Sequence, residues 1–106
     1  MELLPIISPR GNIIIIGFDE IVAVVVQGDE IEIRTRTRRG RPLRSLQEYE
    51  RLFTPFGFEK ASNSSIVSIE KVWTFCEQSR TLYFDKLRKT EGIKVSRRNA
   101  HKFKGL

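Results

Sequence analysis

Two runs near the start of the chain, "NIIII" at 12–16 and "EIVAVVV" at 20–26, are dense in β-branched side chains and bounded by the turn signals "PRG" and "QGD". β-Branching suits a pleated sheet better than a helix, and unbroken apolar runs predict strands covered on both faces or crowded into a small sandwich or barrel. From Glu30 the pattern becomes strict alternation. Ile31, Ile33, Thr35 and Thr37 fall on one face of a strand and Glu32, Arg34, Arg36 and Arg38 on the other, so this strand is expected to be half solvated. "RRGR" at 38–41 reads as the hairpin turn, with Gly40 at an unusual φ, and Pro42 suits the start of an edge strand.

The period then changes. In "SLQEYERLF" Ser45 and Glu48 have the spacing of a reciprocal capping pair, and Leu46, Tyr49, Leu52 and Phe53 recur on one helical face, which predicts a short helix packed on the sheet and stopped by "TPFG". After a serine-rich stretch, "IEKVWTFCE" and "RTLYFDKL" predict two strands around a "QS" bend, with Trp73 and Phe75 alternating against Thr74 and Cys76. "TEG" turns the chain into a brief strand, "IKV". Ser96 then caps a terminal helix, "RRNAHKFK", with Ala100 and Phe103 inward and Arg98 and Lys102 outward.

A chain of 106 residues, 40% hydrophobic, supports one domain spanning 1–106. Cys76, the single cysteine, has no partner for an intramolecular disulfide, and with His101 alone it makes no zinc site. The longest apolar runs, Ile13 to Ile16 and Ile21 to Val26, fall far short of the about 20 residues of a membrane span, and no basic segment precedes the first apolar residues. The expectation is a cytoplasmic protein with no membrane partner.

The net charge of +6 favours a polyanion as partner. Its distribution says more. Residues 1–33 set Arg10 against Glu2, Asp19, Glu20, Asp29, Glu30 and Glu32, whereas 34–44 hold Arg34, Arg36, Arg38, Arg39, Arg41 and Arg44 with no acid. The end of the chain adds Lys94, Arg97, Arg98, Lys102 and Lys104. These segments form one patch only if the fold brings them together.

Catalysis is not expected. His101 lies among like charges, Cys76 reads as packing in an aromatic strand, and Gly11, Gly17 and Gly28 are isolated turn glycines with no phosphate-cradling motif. No cofactor or metal is implied. The arginine series reads either as a solvated hairpin face or as a row of phosphate contacts. Base reading requires groups that match edge patterns, such as Asn on adenine or Arg on guanine. Asn63, between Ser62 and Ser64 and after Lys60, is either such a contact or a turn residue; Arg98, beside Arg97, is either a contact or a surface charge.

Four segments in order resemble a known family. "DEIVAVVVQGDEIEIRT", "RSLQEYERLF", "GFEKASNSSIVSIEKV" and "IKVSRRNAHKF" are similar to successive parts of the LytTR-type DNA-binding domain of bacterial transcription and response regulators, over about Pro5 to Phe103. The resemblance implies a mostly β fold: an elongated stack of small antiparallel sheets with one short internal helix and a short C-terminal helix. It implies sequence-specific binding of double-stranded DNA in transcription regulation, with loops in successive major grooves of a direct-repeat promoter element.

By position, Asn63 and Arg98 are similar to the family's base-contacting residues, while Lys60, Ser62, Ser64 and Arg97 resemble its backbone-contacting support, joined by Arg34. Gly28, Asp29 and Glu30 resemble the first contacting loop. There two carboxylates oppose phosphate, so Gln27 or Arg34 is an alternative contact. The sequence departs from the family at Ser62, where many members carry histidine, at Ser65, where an aromatic is usual, and at Ser68, where Asn is usual. Implied partners are DNA, a second copy in weak self-association or dimerisation on DNA, and a receiver domain of a two-component system not contained in this chain. Two readings from other classes stay open: a protein-interaction module, which predicts an apolar exposed patch beside Trp73 or Tyr83, and an RNA-binding β-domain with outward aromatics.

Overall fold

A computed structural model describes residues 3–42 and 44–106, which fill an envelope of 38 × 29 × 27 Å. Strands β1 (Leu3–Ile7) and β2 (Ile13–Gly17) form a hairpin. Strands β3 (Ile21–Gln27), β4 (Glu30–Thr35), β5 (Arg39–Gly40), β6 (Phe58–Ser62) and β7 (Ser65–Ser68) make a five-stranded sheet in the order β5-β4-β3-β7-β6. Strands β8 (Thr74–Cys76), β9 (Thr81–Tyr83) and β10 (Ile93–Lys94) make a three-stranded sheet in the order β10-β9-β8. All these pairs are antiparallel. Helix α1 (Leu46–Phe53) is the one α-helix among the described residues.

The five-stranded sheet is the middle layer, which explains the unbroken apolar run of β3. Its pairing with β4 shifts register between Ile21 and Ala23. An irregularity of this kind upsets strict alternation, and here Ile21 and Val24 join one core while Val22, Ala23 and Val25 join the other. The first core collects Ile6 and Ile16 from the β1–β2 hairpin, Tyr49 and Phe53 from α1, and Phe58 and Ile66 from the sheet. The second collects Ala61 and Val67 from the sheet with Phe75, Leu82, Phe84, Ile93, Val95 and Phe103.

The capping pair forms as the spacing predicts: the Glu48 amide donates to Ser45 Oγ at 3.2 Å and the Ser45 amide donates to Glu48 Oε1 at 3.3 Å. Tyr49 and Phe53 are buried, but Leu52 is 40% exposed, because at about 100° per residue it lies at the edge of the apolar arc, a quarter turn or more from Phe53 and Leu46.

Several local expectations are corrected. The β4–β5 turn precedes Gly40 and is closed by the Thr35 amide on the Arg38 carbonyl at 2.8 Å. Gly40 is a buried strand residue; a Cβ there would lie 2.7 Å from the Ile7 carbonyl oxygen, so close backbone approach rather than φ demands glycine. The β4 strand is not half solvated: on its polar face Arg34 is buried, paired with Glu32 and with Glu91 from the segment before β10, and Thr35 on the other face is buried as well.

The strand expected over "IEKVWTFCE" is interrupted by a 3-10 turn at Ile69–Lys71, leaving only β8, and "RTLYFDKL" contributes only β9. The terminal helix is 3-10, Arg97–Lys102, with Ala100 half-buried and Phe103 buried. Ser96 does not cap it through its side chain; Ser96 Oγ accepts from Asn99 Nδ2 at 2.8 Å instead. No helix among the described residues is long and apolar enough to cross a membrane, which says nothing of a β-barrel.

Candidate nucleic-acid interface

Two hairpin tips project from one end of the middle sheet. In the first, Gln27 pairs with Glu30 across the Gly28–Asp29 turn, where Gly28 takes φ +61°. In the second, Ser62 pairs with Ser65 across Asn63 and Ser64. The tips are neighbours because β3 pairs with β7, Val25 opposite Ser65, and the Val26 amide donates to the Ser64 carbonyl at 2.7 Å. The serines have a local structural task. Ser62 Oγ lies 3.2 Å from Ser64 Oγ and 3.0 Å from Ser65 Oγ, and it accepts from the Ser64 amide at 3.2 Å. This knot satisfies the polar groups of the turn and leaves Asn63 exposed, its amide unbonded among the described residues.

The start of the terminal 3-10 helix reaches the same region. The Ser96 amide donates to the Ala61 carbonyl at 2.9 Å, which brings the exposed Arg97 and Arg98 up beside the β6–β7 hairpin. Lys60 is half-buried; its carbonyl accepts from Lys102 Nζ at 3.5 Å, and Lys102 also pairs with Glu59 at 3.5 Å. His101, on the same turn, has Nδ1 3.1 Å from the Arg98 carbonyl.

Between the middle and three-stranded sheets runs a groove of about 400 Å³ whose wall includes Gln27, Ser62, Ser64, Arg80, Lys94 and Ser96. Arg80 is fixed by Nε on the Val95 carbonyl at 3.1 Å, while its own carbonyl accepts from the Val95 amide at 2.7 Å. The structure thus brings Ser62, Asn63, Ser64, Arg97, Arg98 and the Gly28–Glu30 turn to one end of the molecule. Arg80 and Glu91 were missed by sequence reasoning. Arg80 has a positive φ of 51° that no residue type announces, and Glu91 meets the arginine series only through a long-range contact.

Arg34 has a different setting from the exposed cations. It is 5% exposed, with Nε 2.5 Å from Glu32 Oε1 and Nη2 3.3 Å from Glu91 Oε2. Nη2 is within ion-pair distance of Glu91 yet forms no hydrogen bond among the described residues, because distance is met and donor geometry is not. Arg34 and Glu91 stand together in the wall of the groove and also in that of a second one, of about 250 Å³, lined by Arg36, Arg38, Arg39 and Lys89. Arg36 is a tie between layers: Nε donates to the Phe84 carbonyl at 3.0 Å and Nη2 to that of Lys71 at 3.3 Å.

The loop that carries Glu91 is anchored by Asp85. Its carboxylate accepts from the Lys89 and Thr90 amides, each at 2.8 Å, and these bonds, Thr90's first, hold its pKa down to about 2. Cys76 lies away from the groove, where hydrogen bonds from Ser79 lower the pKa of its thiol. No group of three or more metal-ligating side chains occurs among the described residues.

The arrangement can bind: short donors, amides and cations at one end, with a basic groove behind them. A model of the LytTr DNA-binding domain family matches residues 11–106. A solved structure of the LytTr DNA-binding domain of a protein described as a methyl-accepting/DNA response regulator from Bacillus cereus is similar over 96% of this chain and 93% of that one, with a TM-score of 0.78 and 19% identity. At that identity the likeness concerns the fold. No curated protein matches the chain.

Proposed function

We propose, for a chain that belongs to the LytTR family of DNA-binding domains, that it recognises a specific double-stranded sequence and so regulates transcription, with its loops in successive major grooves of a direct-repeat promoter element. The observation that supports this reading is the convergence of two hairpin tips and the 96–98 segment, held by the Val26–Ser64 and Ser96–Ala61 hydrogen bonds. Asn63 and Arg98 read base edges, since an amide and a guanidinium match purine donor and acceptor pairs. Lys60, Ser62, Ser64, Arg97 and Arg34 contact the backbone, and the Gly28, Asp29 and Glu30 turn is the third element facing DNA.

On this reading the chain acts by binding rather than catalysis, as a single unit in the cytoplasm of a bacterium. A receiver domain supplies the signal, and a second copy associates weakly on the DNA. Selection from a randomised duplex pool at two salt concentrations tests it. An enriched sequence motif that persists at the higher salt is expected; a flat profile with steep salt dependence reduces the activity to non-specific attachment.

One observation favours a second reading. Trp73, at the edge of the three-stranded sheet beside Tyr83, is 57% exposed. An exposed tryptophan of this kind suits a protein partner, and binding through it would be little affected by salt.

A further inference from the structure

We infer that Glu91 occupies a phosphate subsite centred on Arg34, and that its side chain must leave when a phosphate group of DNA arrives. The inference rests on the DNA-binding reading above. Arg34 is buried, yet it stands in the wall of a groove that also offers Arg80, Lys94 and the hydroxyls of Ser62 and Ser64. Three cations and two short donors make a setting for a tetrahedral anion, and the fork of an arginine matches phosphate oxygens as well as it matches a carboxylate. What stands against Arg34 Nη2 is Glu91, at 3.3 Å and without a hydrogen bond. Nε, on the same edge of the guanidinium as Nη2, is already engaged by Glu32.

The two acidic partners differ in a way that separates their roles. Glu32 is a strand residue with a side chain only 24% exposed, whereas the Glu91 side chain is 59% exposed. The backbone on either side of Glu91 is held. Thr90 is buried, with its hydroxyl on the Arg36 carbonyl at 3.3 Å. Gly92 packs so closely that a Cβ would lie 2.6 Å from Thr81 Cγ2. Departure of Glu91 therefore needs only rotation of its side chain into water, where a carboxylate is well solvated, while the loop stays in place. Because Arg34 and Glu91 stand together in the walls of both grooves, that rotation also opens a route between the basic pocket of Arg36, Arg38, Arg39 and Lys89 and the groove beside the hairpin tips.

The test uses the native chain, Glu91→Gln, Arg34→Lys and the double variant, each checked for folding by thermal melting. Duplex binding is measured against salt concentration, and the Arg34 Nε–H signal is followed by NMR during titration with duplex and, separately, with inorganic phosphate. Glu91→Gln is expected to bind duplex roughly three- to tenfold more tightly with the salt slope little changed, because the Arg34–phosphate contact forms in both complexes and only its competitor is removed. That gain should be lost in the Arg34→Lys background, because lysine keeps the charge but not the fork.

Equal gains in both backgrounds would assign the effect to general charge and overturn the subsite, as would an unchanged Glu91→Gln. If the Arg34 signal follows inorganic phosphate but does not respond to duplex, the site takes free phosphate and the DNA assignment is wrong. If the native chain binds no duplex, the functional reading fails, and the phosphate titration of Glu91→Gln still decides the subsite: a saturating shift supports it and no shift overturns it.

Discussion

The backbone amide of Val26 donates to the carbonyl of Ser64 at 2.7 Å, although the two residues lie in different hairpins. This bond, continuing the Val25–Ser65 strand pair, fixes the Gly28 turn beside Asn63. Two loops remote in sequence thereby become one surface whose spacing is set by a sheet rather than by loop flexibility.

Asn63→Ala should relax preference at one base position and cost about 1–3 kcal/mol on the selected site. Lys60→Ala should instead weaken all duplexes alike and lower the salt slope by about one unit. Binding isotherms on the selected duplex and on a scrambled one separate the two; equal weakening by Asn63→Ala would reassign it to positioning.

Gly40→Ala should destabilise the fold by about 1–3 kcal/mol. The added methyl would lie 2.7 Å from the Ile7 carbonyl oxygen and 2.8 Å from Ile6 Cδ1, so the β1–β2 hairpin has to shift. The paired Ile7–Arg41 hydrogen bonds, 2.9 and 2.7 Å, lie at that contact. Urea unfolding measures the loss, and faster amide exchange at Ile7 and Arg41 locates it.

Ser45→Ala removes the N-cap of α1 and should cost about 1 kcal/mol. In the same variant Glu48, whose pKa is lowered first by the residue 45 amide, which alanine keeps, and next by the Ser45 hydroxyl, which it removes, should titrate only part of the way back toward its ordinary value. NMR titration of the Glu48 side chain reports the second effect independently of stability.

Acid should weaken the Asp85 loop. The carboxyl titrates at 3.8 when unperturbed and at about 2 in the folded chain, so the folded state prefers the ionised form. Its contribution is complete above the unfolded value and is lost as pH falls through the folded one. The stability difference between the native chain and Asp85→Asn, measured in urea from pH 5 to 2, should therefore narrow across that interval. A difference independent of pH would mean that the amides of Lys89 and Thr90 do not depend on the carboxylate charge.

Much of the architecture was legible in local pattern. β-Branched runs mark β2 and β3, the Ser45–Glu48 spacing marks the start of α1, and the spacing of Ala100 and Phe103 places Phe103 inward, where it is buried. The errors lie where a neighbouring layer outweighs local preference. The alternation puts Trp73 on one strand face with Phe75, yet the 3-10 turn at Ile69–Lys71 delays β8 to Thr74, and the indole is at the surface while Phe75 is buried. Gly40 looked like a turn residue because a close backbone contact with Ile7, more than thirty residues away, has no local signature.

The candidate site divides in the same way. The residue types at Lys60 to Ser64 and at Arg97 and Arg98, their short donors and their charge are properties of the sequence by itself, as is the alternation that makes β4 a strand. Only the tertiary structure decided that these segments meet, through strand pairing and two long-range backbone hydrogen bonds. It also decided that Arg34, one cation in an apparently uniform series, is buried between Glu32 and Glu91 while Arg38 and Arg39 remain exposed. The physical reason is that a strand's alternation assigns a side chain to a face, whereas the layer packed on that face determines whether its charge meets water or another residue.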